Sequence, residues 1–572
     1  MLKAVTLVDY VVIGIYLLLM LGIGAYFMRF NKGASDYFRG GSRIPWFVAG
    51  LSSFMSGFSA WTFTGAAGVA YRQGLVIVLM YIGNGLSFLL GYWLFAVRWR
   101  RARISTTMEY LTERFDDRTR QTFSWTAVIF HLFTGASVLF GLGVFVSSTC
   151  GVPIGWTIMA CGGIILAYCV VGGLWAVVIT DFLQAVILMP FTLVLLVVSL
   201  ARVGGIAGFI GALPPPMKSL ALPGDFGWGY VAAWAIMVSF GYNTSVMAQR
   251  YFAVDDERSA RKVSLLCCGL FLAGSLLWFV PSMAMRILYP DLAAVLPGRQ
   301  NPHEASYAVA TLTLLPNGLI GVMLAAMFSA TMSNLSGTFH LHAAIVVRDI
   351  YLWFFPRRDD ERHLLSVGWV ATFGVGTSII GLAYVMARSG QSVFSVMLTV
   401  NTIMSLAYGP PALLGLLVSR TPRWSGLASL VVGLVLGCVG TFALGWGLIA
   451  NVLVVLPSSV AVFLLSMPFE ARDTEGAPGR RALAERLATP IDREHELRES
   501  VDRTTEVFRF LSRATAGVGL LSLVLLLQTP AGDRGTVVLY SGITLVVASL
   551  LALVKGKAGS TTPSIEPVPT VE

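Results

Sequence analysis

LSSFMSGFSAWTFTGAAGVAY, residues Leu51–Tyr71, decides how this chain is read. The stretch lies inside a long apolar span, yet Ser52, Ser53, Ser56, Gly57 and Ser59 crowd its middle, and Gly65 and Gly68 follow. Serine offers the backbone competing hydrogen bonds, and a glycine costs about 1 kcal/mol in a helix interior. At membrane depth, irregular backbone persists only where it is buried in protein or lines a watery cavity. One reading is a helix that breaks near Met55–Phe58 and turns bare carbonyls and amides toward a ligand. The other is close packing of helices through small residues.

Working outward, composition sets the class. Of 572 residues, 56% are hydrophobic and 12% charged, which excludes a soluble globular protein. Repeated apolar runs of about 20 residues or more predict an all-α polytopic membrane protein. Fifteen spans are expected, from 8–28 at the start to 535–554 at the end. The apolar run Tyr10–Met28 is too long for a signal peptide and lacks a small-residue cleavage site. The net charge of +10 resides largely in the short loops on one side, including Arg29–Arg43, the RWRRAR run and Arg250–Lys262. Basic loops face the cytoplasm, so the N-terminus is expected outside and the C-terminus inside. The six cysteines lie in or beside apolar spans without metal-ligand spacing and read as core residues.

Two further stretches carry chemistry. Asp181, in GGLWAVVITDFLQAV, is the carboxylate set well inside an apolar span, whereas Asp9 stands at an edge. An intramembrane carboxylate marks an ion or proton path, or else partners a hydroxyl or amide nearby. His131 sits mid-span and reads as a hydrogen-bonded core group. Gly321–Tyr351 is rich in hydroxyls and amides, and Ala330, Ser333 and Asn334 share one helix face. Such oxygens, with carbonyls released by a broken helix, can replace the water around a small hard cation. Interhelical hydrogen bonding is the alternative. No nucleophile–base pair, metal-ligand cluster or phosphate loop is visible, so an enzyme is not expected.

The chain resembles the sodium:solute symporter family, which includes sodium–glucose, sodium–proline and sialic acid transporters. The likeness rests on SAWTFTGAAGVAY, GGLWAVVITDFLQ, GYNTSVMAQRYFA and LAAMFSATMSNLSG…VVRDIY, in order across residues 8–420. It implies a five-plus-five inverted repeat of the leucine-transporter type, one helix preceding and about four following. The repeats would be 45–201 and 228–418, after a first helix and loop in 1–44 and separated by an exterior loop, 202–227. Beyond them lie two helices in 419–468, a cytoplasmic amphipathic segment in 469–508, a hairpin in 509–554 and a disordered tail, 555–572. The second repeat's break would fall at Gly241–Ser245.

The same resemblance implies a sodium-coupled symporter importing a small polar solute by alternating access, multi-pass in the cell membrane, with membrane lipid around it. Sodium is the implied co-transported ion; no nucleic acid and no obligate protein partner is implied. Its sodium site would use carbonyls of Met55, Phe58 and Ala330 with the side chains of Ser333 and Asn334. Asn334 stands where relatives carry Ser or Thr. Asp181 aligns with the acidic residue near a second ion. Solute contacts would come from Gly57, Ser59, Thr62, Tyr81, Tyr242 and Asn243. Tyr81 and Thr62 replace a glutamate and a glutamine of galactose-binding relatives, and no arginine between Gln121 and Cys150 is available to clamp a carboxylate. Proton coupling through Asp181, and a transporter-like sensor, are the rival functions.

Overall fold

The computed structural model describes residues 2–28, 44–104, 106–171, 174–220, 226–355, 361–492 and 504–553. Among these the regular structure is helical throughout, with no strand. Eleven helices are long and apolar enough to cross a membrane, and three shorter apolar ones accompany them.

In chain order, α1 is Leu7–Met28. The broken span supplies α2, Trp46–Ser56, and α3, Ala67–Gln73, which is entered through a π turn at Thr62–Ala66. Then come α4 (Val76–Arg101), α5 (Asp117–Cys150), α6 (Ile154–Val171) and α7 (Leu174–Arg202). A second interrupted pair follows, α8 (Trp228–Tyr242) and α9 (Ser245–Phe252). Next are α10 (Glu257–Leu288), α11 (Ser306–Leu314), α12 (Leu319–Ala344), α13 (Glu361–Arg388) and α14 (Val393–Leu417). Beyond them lie α15 (Ser425–Cys438), α16 (Leu448–Leu465), α17 (Ala477–Ala488), α18 (Thr504–Val524) and α19 (Arg534–Ala552).

Helix starts follow their capping residues. Asp116 Oδ1 accepts the Thr119 amide at 2.7 Å, and Asp256 Oδ1 accepts that of Ser259 at 2.7 Å. Each satisfies an amide that the first turn leaves without a partner. Asp9 does the same across a helix boundary. Its Oδ1 accepts the amides of Gly318 and Gly321 at 2.6 and 2.8 Å, so the carboxylate at the edge of α1 seats the start of α12.

Two packed groups emerge. The broken pairs α2–α3 and α8–α9 pack with α4 and α10, while α5, α6, α12 and α13 pack with one another. Helix α7 lies against α2 and α12, joining the groups, and the α18–α19 hairpin leans on α7 through both of its helices. Because lipid is as apolar as a leucine side chain, this assembly rests on close packing and interhelical hydrogen bonds. The small residues at the contacts are consistent with that: a Cβ on Gly321 would fall 2.6 Å from the Asp9 carbonyl oxygen.

The 469–508 segment proves to be more than one amphipathic helix. A 3-10 turn, Met467–Arg472, leads into α17, and the chain runs on to 492; residues 493–503 and the tail lie outside the described residues, and 504–508 already belong to α18. The segment crosses the basic face as a strap. Asp473 Oδ2 accepts the Arg423 amide at 2.7 Å and pairs with Arg480. Arg486 pairs with Glu113. At the far end, the Arg103 guanidinium donates to the carbonyls of Arg486, Thr489 and Pro490, just past the C-terminal end of α17. Cations are favoured there by the helix dipole. Arg103 is also the one described non-glycine residue with a positive φ, at 55°. Glu257 Oε1, at the start of α10, accepts from both Arg101 and the Ile491 amide at 2.9 Å.

Candidate functional site

The first break covers Gly57–Trp61. Its cause is visible in the hydrogen bonds. The Ser56 hydroxyl donates back to the Ser52 carbonyl at 2.9 Å, and the Ser59 Oγ accepts the Trp61 amide at 3.3 Å, so the local hydroxyls serve the turns on either side. Gly57 lets α9 come close: a Cβ there would lie 2.5 Å from Met247 Cε, the flexible end of that side chain. The Met55 carbonyl accepts the Phe58 amide at 3.1 Å and keeps one lone pair free. Among the described residues, the Phe58 carbonyl accepts no hydrogen bond.

Helix α12 faces the break with the expected residues. Thr331 Oγ1 accepts the Ala60 amide at 3.3 Å. Ala330 and Ser333 are buried; the Ser333 hydroxyl makes no close hydrogen bond of good geometry and has the Asp181 carboxylate as its polar neighbour. Asn334 differs from its sequence reading. It donates Nδ2 to the Ser56 carbonyl at 2.6 Å, presenting an N–H and not an oxygen to the break. In this arrangement it is a strut between α12 and α2, because an amide nitrogen bears donors and no lone pair for a cation.

Asp181 is fully buried on α7, and its surroundings hold a surprise for the sequence reading. Its Oδ2 accepts the Ser52 hydroxyl at 2.6 Å. Arg250, counted above among the basic loop residues, is instead 1% exposed on α9, with Nη2 3.8 Å from Asp181 Oδ2. Its Nε donates to Ser52 Oγ at 3.0 Å and its Nη2 to Ser56 Oγ at 3.4 Å. Ser52 thus bridges carboxylate and guanidinium, and three helices meet on one buried charge pair. Beside this cluster lie buried oxygens that make no close hydrogen bond of good geometry among the described residues, Asp181 Oδ1, Gln184 Oε1, Ser329 Oγ and Ser333 Oγ, with Ser333 next to Asp181 and Ser329 next to Tyr16. A buried polar atom left unbonded costs about 1–3 kcal/mol, so these oxygens make the contact between α7 and α12 a polar one inside an apolar bundle. Hard oxygen donors suit a small cation.

The residues expected to touch solute gather near both breaks, but they do different work. Tyr81 donates its hydroxyl to Thr62 Oγ1 at 3.3 Å and packs edge-on against Phe279. Tyr242 accepts from Asn84 Nδ2 at 3.3 Å, and Asn84 Oδ1 accepts the Trp234 indole at 2.8 Å. Ser59 and Thr62 are buried. Asn243 is tied to structure through its nitrogen and backbone: Nδ2 donates to the carbonyls of Ser87 and Ser239, at 3.0 and 2.9 Å, and its backbone carbonyl accepts the Trp99 indole at 2.9 Å, while Oδ1 is buried without a hydrogen bond among the described residues. The amide closes the second break and spans to α4.

Sequence reasoning missed Asn84 and Trp278. The Trp278 ring lies 4.3 Å from that of Phe58, and its indole N–H is buried without a partner among the described residues. A polar Asn84 in an apolar run was the available signal; Trp278 carried none. Above the site, the Phe394 ring stacks between Trp61 at 5.6 Å and Trp234 at 6.2 Å, and Trp61 Nε1 donates to the Val393 carbonyl at 3.1 Å. His131 meets His342 with ring centroids 5.1 Å apart, below the break and beside a cavity of about 240 Å³ that opens toward the basic face.

A chain with two interrupted helices facing each other across a buried polar cluster belongs to the class of secondary transporters. The sodium:solute symporter family profile matches residues 37–433, and the chain belongs to that family. It is 29% identical over 474 residues to the rat sodium/glucose cotransporter 2, covering 75% of this chain and 70% of the relative. It is 27% identical over 473 residues to the mouse sodium/myo-inositol cotransporter 2, covering 76% of this chain and 70% of that relative. A solved sodium-coupled sialic acid symporter superposes with a TM-score of 0.70 at 21% identity, over 82% of this chain and 98% of its own, and shows the shared fold. The protein is a multi-pass membrane transporter whose function is sodium-coupled solute symport, with sodium as the coupled ion, and not an enzyme.

Proposed function

We propose that the coupling sodium is held between the Met55 and Phe58 carbonyls of the first break and the Ala330 carbonyl and Ser333 hydroxyl of α12, with Asn334 as the strut that fixes their spacing. The observation that supports this reading is the Phe58 carbonyl, which accepts no hydrogen bond among the described residues, in a break faced by α12 and its buried Ser333 hydroxyl. Asp181, with Gln184 and Ser329 beside it, is the candidate second ion site. The basic face is cytoplasmic and the chain begins outside. Sodium entering from the exterior joins α2 to the α5–α6–α12–α13 group. Solute then binds, the aromatic lid closes, and the inner side opens. One charge moving through 100 mV contributes about 2.3 kcal/mol to accumulation.

The solute is a neutral polyhydroxylated molecule, such as a hexose or a cyclitol. Tyr81, Tyr242, Thr62, Ser59 and Asn84 offer hydroxyl and amide groups, the aromatic rings of Phe58 and Trp278 flank them, and the nearby charges, Asp181 and Arg250, are paired to each other. A carboxylate-bearing solute would require a free cation. The test is uptake into proteoliposomes under an inward sodium gradient, comparing glucose, myo-inositol and sialic acid. Sodium-driven uptake of a neutral polyol is expected. Uptake confined to the acidic sugar removes the solute assignment, and full sodium activation of Ser333→Ala removes the ion site.

A further inference from the structure

We propose that Glu304 is the positioning residue of the outer gate: its carboxylate holds the first turn of α14, and through that turn keeps Phe394 between Trp61 and Trp234 over the solute site. The inference rests on the reading that the far face is exterior and that solute lies at the first break.

The argument starts from a buried acid in a connecting segment. Glu304 lies in a short 3-10 turn, Pro302–Ala305, between α10 and α11, and is only 2% exposed. A carboxylate is not buried without partners except at considerable cost. Its hydrogen-bond partners are at the start of α14, and Arg72 of α3 is the nearby cation. Oε1 accepts the Ser392 hydroxyl at 2.7 Å and the Phe394 amide at 3.5 Å. Ser392 Oγ in turn accepts the Phe394 amide at 3.2 Å. These are the amides that a helix start leaves open, and an anion there is favoured by the helix dipole as well. The same turn carries the lid. Val393 offers its carbonyl to Trp61, and Phe394 places its ring in the aromatic stack.

Glu304 also reaches the broken helix from the other side. At Gly68 of α3, a Cβ would lie 3.0 Å from the His303 ring and 3.1 Å from Glu304 Cγ, so α3 and the 302–305 turn touch at backbone range. The turn is therefore wedged between α3, which continues from the break, and α14. A cavity of about 480 Å³, lined in part by Arg299, Asn301, Glu304 and Gln391, borders the latch on the far face. Water has a route to the carboxylate once the wedge lifts. Breaking the Glu304–Ser392–Phe394 contacts releases the aromatic lid, which favours the outward-open protein and slows its closure.

Hydrogen–deuterium exchange of the purified full chain in sodium, without solute, reads the latch directly at residues 392–396. Glu304→Ala should speed exchange there roughly tenfold, the scale of losing a charge-assisted hydrogen bond. Glu304→Gln, which still accepts from Ser392, should retain most of the protection. In sodium-driven uptake, Glu304→Ala should lower the sodium half-saturation by about threefold while lowering maximal uptake, as expected when the outward-open population rises. Ser392→Ala removes the partner and should move both readouts in the same direction; it decides the matter if Glu304→Ala does not fold. Faster exchange confined to 299–305, with 392–396 or the sodium half-saturation unchanged, overturns the proposal. Exchange is measured without solute, so a wrong solute assignment leaves that arm intact.

Discussion

The two helix breaks of this transporter look alike in the chain and differ in what they leave uncovered. At the second, the side chains following the break reach back over it. Asn243 donates to the Ser239 carbonyl, and Thr244 Oγ1 donates to those of Phe240 and Gly241, at 3.3 and 3.0 Å. Those bonds run three or four residues upstream and close the helix end. At the first break, Gly57 and Phe58 have no side-chain donor, and the hydroxyls of Ser56 and Ser59 are spent on the turns before and after it. The carbonyls of Ser59, Ala60 and Trp61 accept from the π turn that follows, that of Ser56 is met from another helix by Asn334, and that of Phe58 is met by none of the described residues. On the proposed reading, the break that serves the ion is the one that keeps an uncovered carbonyl, at Phe58. Interrupted backbone alone does not suffice.

Four substitutions probe that contrast. The largest effect is expected at Asp181→Asn, which leaves the Arg250 guanidinium buried without its counter-charge against α2. A loss of about 3–5 kcal/mol of stability is expected, seen as a large drop in thermal midpoint. The paired change Asp181→Asn with Arg250→Gln should recover part of it. A single variant as stable as the native chain would mean the first break is not stapled by this pair.

Next is Asn243→Ala at the second break. It removes both donated bonds of the amide and should cost about 1–3 kcal/mol of stability, with the sodium half-saturation unchanged. An equal shift in sodium activation would erase the distinction between the breaks. Third is Ser333→Ala at the first. The sodium half-saturation of uptake should rise about tenfold and sodium should lose most of its stabilising effect on melting, which for the native chain is about 2.7 kcal/mol at a hundredfold excess over Kd. Native-like sodium protection would count against the oxygens of α12. The smallest effect is expected at Asn334→Ser, which exchanges a donor for a hydroxyl that can also accept and frees the Ser56 carbonyl. The sodium half-saturation should change by about threefold or less, toward tighter binding. Loss of sodium dependence there would show that the strut, and not the oxygens, holds the site together.

Much of this was legible beforehand for a physical reason. Serine and glycine crowded into an apolar run contradict a lipid-facing helix, and the contradiction points to the break at Gly57–Trp61. Asp181 stands out because an acid costs so much inside a membrane. Arg250 did not stand out. It follows a break and precedes a charged loop, so its neighbours in sequence are those of a solvated residue, and only the approach of α7 to α9 turns it inward. Glu304 was hidden in the same way, since a connecting segment gives no period by which burial can be read. Asn334 shows the reverse error: its place on the right face of α12 was readable, but which end of its amide meets the break was not.

From residue order alone came the membrane class, the family, the position of both interruptions and the face of α12 that serves one of them. These are properties of local composition and helical period, which need no partner to be read. Folding in three dimensions settled which oxygens stay uncommitted, which charge answers Asp181, and that Asn243 seals its break. Those outcomes depend on donors brought from distant helices, and a linear chain does not say which donors arrive.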